Sequence, residues 1–178
     1  MLLGIRLLPL VLAGYLLMPG AGMGKELKKM TSLTITCQAF NHGEAIPTRF
    51  TCDGKDLNPA LEWSAPPTGT RSLALIMDDP DAPVGNWVHW VVWNIPPDTR
   101  RIEEHSVPDG AVQGLNGWKR NAYGGPCPPS GSHRYFFKLH ALDTILELPE
   151  SATKADLEKA MNGHILAQGE LMGTYRRR

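Results

Sequence analysis

Charge of one sign is missing from this sequence: 18 lysines and arginines stand against 18 aspartates and glutamates. Without a net field, neither a nucleic-acid backbone nor an anionic membrane surface is favoured as a partner. The one basic cluster, Arg176-Arg177-Arg178, sits at the chain end and reads as a solvated tail. Cysteine is scarce too. Cys37, Cys52 and Cys127 never fall into a C-x-x-C spacing, which removes support for zinc or thioredoxin-type chemistry. An exported protein would be expected to hold one disulfide and one free thiol, a cytoplasmic one three buried thiols. Enzyme signatures are also lacking: there is no G-x-S-x-G elbow, no H-E-x-x-H and no P-loop. Ser130 and Ser132 with His89 or His133 as base could make a hydrolase, and His89, His133 and Asp79 a metal site, but no spacing supports either. The chain is therefore read as a non-enzyme with no cofactor and no metal.

A long apolar run occurs only near the start. Met1 to Met18 carries a single charge, Arg6, and Gly20, Ala21 and Gly22 follow. Length and flanks fit a secretory signal better than a membrane-spanning helix. Export to the periplasm or the medium is expected. The alternatives are an uncleaved anchor, or a start at Met23 or Met30 that leaves the protein in the cytoplasm. Residues 1–22 are read as targeting sequence, 23–30 as a linker and 31–178 as a single domain.

What is plentiful is turn chemistry. Fifteen prolines and 18 glycines lie between short apolar runs, the pattern of a β-rich fold. Leu33 to Thr36 alternates, and Ala60 to Trp63 is short and ends in an aromatic. Ser72 to Met77 and Val88 to Ile95 are continuous apolar runs, as in strands buried on both faces. In Arg134 to Leu142, Tyr135, Phe137, Leu139 and Ala141 face one way and Phe136, Lys138 and His140 the other. One helix is predicted late, capped by Thr153 with Asp156 three residues on. Leu157, Met161 and Ile165 continue its apolar stripe across Asn162-Gly163, so it is broken or doubled there. Glu170 to Tyr175 reads as a final strand. The fold class is mostly β, with one or two short C-terminal helices.

Polar groups meet constrained backbone in four places. "MDDPDAP" ends a buried strand with Asp78, Asp79 and Asp81 beside two prolines, each of which restricts the residue before it. "NWVHW" places His89 at the head of an apolar strand, where a histidine alone is usually a satisfied core residue. "YGGPCPPSGSHRY" joins Gly124-Gly125, whose amides could form an anion nest, to a proline-fixed path ending at His133 and Tyr135. The last two are two apart, so they share a strand face. "CDGKDLNPALEW" is a loop with Cys52, Asp53 and Asn58.

Taken together, "DPDAP", the "HW" that follows and "GGPCPPSGSHRY" resemble the phosphatidylethanolamine-binding protein family, whose members include the Raf kinase inhibitor protein. "NPALEW", "AVQGLNGW" and "ELMGTY" are similar to its bacterial and archaeal branch, and the likeness runs from Leu33 to Tyr175. The resemblance implies a sandwich of antiparallel sheets with a small anion pocket at a sheet end. By motif, the pocket residues would be Asp79, Asp81, His89, Gly125, Pro126, His133 and Tyr135, with a cis peptide at Ala82-Pro83. It also implies that Cys52 and Cys127 are neighbours near the pocket and, in an exported protein, a disulfide. Histidines, the tyrosine hydroxyl and amides can donate to a phosphate. The aspartates would orient the imidazoles or keep them protonated, or else meet the ammonium of a phosphoethanolamine headgroup; the first role is favoured. The function implied is binding of a phosphorylated or carboxylate ligand without catalysis. The alternative is an inhibitor of a kinase or protease that uses the pocket as anchor. The expected partners are a small anion or phosphorylated headgroup, then such a kinase or protease, with a homodimer left open and nucleic acid excluded.

Overall fold

The computed structural model describes residues 31–177; the expected targeting segment, linker and alternative starts lie outside the described residues. Two sheets form. The smaller joins β2 (Ile35–Cys37), β3 (Leu61–Trp63) and β6 (Arg101–Ile102) in the order β2-β3-β6. The larger contains β1 (Thr31–Ser32), β4 (Ser72–Asp79), β5 (Trp87–Ile95), β7 (Val112–Gln113), β8 (Ser132–Leu142) and β9 (Ile165–Arg176). Its order is β1-β9-β8-β4-β5-β7. All pairings are antiparallel except that of β1 with β9, which is parallel.

The two continuous apolar runs become the central strands, and both of their faces are covered. Leu73, Leu75 and Met77 of β4 turn inward, onto Ile35, Leu61 and Ile102 of the small sheet and Phe137 and Leu139 of β8. Ala74 and Ile76 turn outward into a second core with Val91, Trp93, Leu157 and Met161. That outer core is closed by α1 (Lys154–Met161), which starts at a capping box: Thr153 accepts from the Asp156 amide, and Asp156 accepts from the Thr153 amide. The chain holds one α-helix among the described residues, not two. Asn162 ends it, Gly163 takes φ of +85°, and Ile165 is already in β9, opposite Leu142. A β-branched and apolar run with a long partner strand beside it gains a full ladder by pairing, so pairing overrides the helical spacing. Cys37 ends β2, and its buried thiol is free. No helix among the described residues is long and apolar enough to cross a membrane.

The Ala82–Pro83 bond is trans, as is every described peptide bond, against the expected cis form. The Gly85 amide donates to the Ala82 carbonyl oxygen at 3.0 Å. That places Pro83 second in a four-residue turn, where the trans ring already has the needed φ; a cis proline belongs at the third position.

Candidate functional site

Asp79 ends the inward-facing series of β4, and His133 and Tyr135 share the inward face of the adjoining β8. Asp79 and His133 are buried together. Asp79 Oδ2 accepts from His133 Nδ1 at 2.8 Å, and Oδ1 accepts from the Asp81 backbone amide at 2.8 Å. With its Nδ1 proton directed at the carboxylate, His133 keeps Nε2 without a hydrogen-bond partner among the described residues.

His89 reaches the same face through a bulge. Met77 pairs with Trp90 but Asp78 pairs with Val88, so His89 is an extra residue on β5. Val88 therefore packs on the outer core while His89 and Trp90 both turn inward. Strand β4 separates β5 from β8, so the two histidine strands are not direct neighbours. The rings still meet across it: His89 and Tyr135 stand edge to face with centroids 5.2 Å apart. His89 Nδ1 donates to the Gly124 carbonyl oxygen at 2.6 Å, and the Gly124 amide donates back to the His89 carbonyl oxygen at 3.0 Å. Burial pushes the His89 pKa below its ordinary value, against the opposing pull of that carbonyl and of the Asp79 charge. The ring is thus neutral near pH 7, with its proton on Nδ1.

Tyr135 is fully buried, yet its hydroxyl has no hydrogen-bond partner among the described residues. Burial first, and then the neighbouring Asp79 charge, push its pKa far above the usual phenol value. It remains a neutral donor. A buried hydroxyl left unpaired costs about 1–3 kcal/mol, so an orphan here requires an explanation.

Asp81 is directed away from the histidines. Arg134 grips it with Nε at 2.9 Å and a terminal nitrogen at 2.7 Å, and the Arg134 amide adds a third bond at 2.9 Å. That grip lowers the Asp81 pKa to about 2. Asp78, on the opposite face of β4, is buried against Lys138 Nζ at 2.8 Å and Asn86 Nδ2 at 2.9 Å. Of the three loop aspartates, only Asp79 serves a histidine.

The Gly124-Gly125 amides do not form the expected open nest. One is bonded to His89, and Gly125 donates to Asp56 Oδ1 at 2.6 Å. Neither glycine takes a left-handed φ. The need for glycine is space: a Cβ on Gly125 would lie 2.4 Å from the Phe50 carbonyl oxygen, and one on Gly124 would lie 2.4 Å from the Trp118 ring. Pro126 follows, its carbonyl accepting from the Cys52 amide at 3.2 Å. Cys52 and Cys127 are disulfide-bonded with Cα atoms 5.4 Å apart. The proline-rich stretch is therefore pinned to the 48–56 loop by the disulfide, by Asp56, and by the Tyr123 hydroxyl donating to the Phe50 carbonyl at 2.8 Å. Asp56 and Tyr123 carry this work without any local spacing to announce it.

A sequence model described as phosphatidylethanolamine-binding protein matches residues 36–176. A UPF0098 protein of Methanothermobacter thermautotrophicus is 51% identical over 150 residues, covering 82% of this chain and 99% of its own. The UPF0098 protein PH1269 of Pyrococcus horikoshii is 43% identical over 180 residues, covering 97% of this chain and 90% of its own. Among solved structures, the phosphatidylethanolamine-binding protein homologue CT736 of Chlamydia trachomatis superposes with a TM-score of 0.79 at 42% identity, covering 83% of this chain and 99% of that one. E. coli YbcL, described as a member of the mammalian family of that name, gives 0.78 at 32% identity, covering 83% and 100%. On sequence and on architecture alike, the chain belongs to the phosphatidylethanolamine-binding protein family.

Proposed function

We propose that this chain is a binding protein that takes a small phosphorylated or carboxylate anion where β4 ends and β5 and β8 begin, and that it performs no chemistry on it. The observation that carries this reading is the Tyr135 hydroxyl, buried and unpaired beside the His89 ring. An anion oxygen would supply its missing acceptor. The Nε2 positions of His89 and His133 are two more contact points, with Nδ1 of each already anchored on Gly124 and Asp79. Asp79 thereby acts through His133, fixing its ring rather than repelling the ligand directly. Each charge-assisted hydrogen bond is worth roughly 1.5–3 kcal/mol, and three or four must offset an association cost of at least about 4 kcal/mol. Millimolar affinity for bare phosphate follows, near −4 kcal/mol.

Tyr135→Phe tests the reading. It removes one oxygen that makes no hydrogen bond of good geometry among the described residues, so the melting temperature should hold or rise. Calorimetric affinity for inorganic phosphate should fall about tenfold, one charge-assisted bond's worth. Unchanged phosphate binding in this variant would overturn the assignment.

A further inference from the structure

The sequence carries two Asn-Gly pairs, Asn116-Gly117 and Asn162-Gly163, and the fold treats them in opposite ways. An asparagine before glycine is open to attack by the next backbone nitrogen, because glycine has no Cβ to obstruct the approach. Whether the attack proceeds depends on whether the two groups are free to meet.

At Asn116 they are not. The side chain is buried. Its Oδ1 accepts from the amides of Trp118 at 2.9 Å and Arg120 at 3.1 Å, and its Nδ2 donates to the Ala122 carbonyl oxygen at 2.8 Å. The Gly117 amide donates to the Val88 carbonyl oxygen at 2.8 Å, and a Cβ on Gly117 would lie 2.5 Å from the Trp87 ring. This pair moves only if four hydrogen bonds open together.

At Asn162 they are. The residue is exposed, and its side chain makes no hydrogen bond among the described residues. With Gly163 it forms the centre of a type II turn: φ of −61° and ψ of 123° at Asn162, φ of +85° at Gly163, and the His164 amide donating to the Met161 carbonyl oxygen at 2.9 Å. The peptide between the two has neither its N–H nor its C=O bonded among the described residues. No atom beyond the chain neighbours lies within 4 Å of the Cβ position of Gly163. That peptide plane can flip inside the turn without breaking a bond, since glycine accepts the angles of both type I and type II at this position. Rotating one way, the flip carries the Gly163 nitrogen past the Asn162 side chain.

We propose that Asn162-Gly163 is a site of spontaneous covalent modification, where the folded protein converts Asn162 into aspartate and isoaspartate. Solvent base takes the Gly163 amide proton, and the nitrogen attacks Asn162 Cγ. The new C–N bond forms as Cγ–Nδ2 breaks, and Nδ2 leaves as ammonia. Water then opens the cyclic imide. Breaking the new bond leaves aspartate; breaking the original peptide bond leaves isoaspartate, with the chain running through Cγ. No electrons are exchanged. Either product puts a carboxylate where α1 ends, against the negative end of the helix dipole. Isoaspartate also lengthens the backbone between α1 and β9. The change lies far from the candidate site: Ile165 pairs with Leu142 at one end of the β8–β9 ladder, and Tyr175 with His133 near the other.

The test holds the full chain folded at mildly alkaline pH and, in parallel, unfolded in urea. Peptide mapping by mass spectrometry locates converted residues, and an isoaspartate-specific methyltransferase with a labelled methyl donor counts isoaspartate. In urea both pairs should react alike. In the folded protein Asn162 should convert at close to its unfolded rate. Asn116 should slow at least about a hundredfold, the scale of opening several hydrogen bonds at once. Asn162→Gln should melt as the unmodified chain does and lose the conversion. Asn162→Asp, which reproduces one product, should melt about 1–4 degrees lower. Equal conversion of the two pairs in the folded protein, or an Asn162 as slow as Asn116, overturns the site. An Asn162→Asp chain that melts no lower overturns the effect assigned to its product.

Discussion

At the scale of single residues, the candidate site is a set of side chains each fixed at one end and free at the other. His89 is the most informative. Its pKa lies below the ordinary value because the ring is buried, so the ring is neutral at pH 7. An anion arriving at Nε2 favours the charged ring and raises that pKa. Binding should therefore take up a proton, and affinity should climb as pH falls below about 6.5, the unperturbed histidine value. The sign is fixed: the free protein needs a lower pH to protonate than the complex does, so the complex gains relative to it as pH drops. Phosphate titrations in two buffers of different ionisation enthalpy read the uptake directly; equal apparent enthalpies in both would show that His89 does not titrate on binding. Phosphate's own second ionisation lies in the same range, so a ligand charged throughout, such as sulfate, is the proper control.

At the scale of elements, the disulfide between Cys52 and Cys127 spans 75 residues and joins the two loops that frame the candidate site. Closing a loop of that length contributes about 4 kcal/mol in the chain-entropy account. Cys127→Ser should lower the melting temperature by about 8–16 degrees and weaken phosphate binding beyond what pH or salt restores. A variant that melts normally would mean that Asp56 and Tyr123 alone hold the loops. These elements also divide what a sequence can disclose from what it cannot. The strand at Ser132–Leu142 was legible because alternation survives in a half-covered strand, and the capping box announced α1 within one residue. Asp79, His89, His133 and Tyr135 were legible as a group only through the family's motifs. What stayed hidden was whatever depends on a distant partner. The bulge that turns His89 inward is a mismatch with β4, which no property of "NWVHW" encodes. Asp56 lies 69 positions from the glycine it holds, and Asn116 reads as an ordinary turn residue until its three hydrogen bonds are seen. Ile165 looked helical because apolar spacing ignores the partner strand, and the proline of Ala82–Pro83 was trans because a turn position decides its isomer.

At the scale of the whole molecule, the parallel pairing of β1 with β9 has a consequence for presentation. Thr31 and Ser32 lie beside Ala167 and Gln168, at the beginning of β9, whereas Tyr175 near its end lies opposite His133. Seven residues of strand separate Gln168 from Tyr175, about 23 Å. The described residues therefore begin at one pole of the body and the candidate site opens at the other. The opposite end behaves differently, since Arg177 Nε bonds Asp53 Oδ1 at 2.9 Å, next to the Cys52 loop. Immobilised on a surface through a handle attached directly at residue 31, the protein should display its candidate site outward and bind inorganic phosphate as it does in solution. Immobilised through a handle after Arg178, it should bind more slowly, because the support crowds the mouth. Equal association rates in the two orientations, measured by surface-based kinetics, would contradict this polarity. Anything fastened directly at Thr31, whether lipid, partner or solid support, would leave the candidate site facing away from its anchorage.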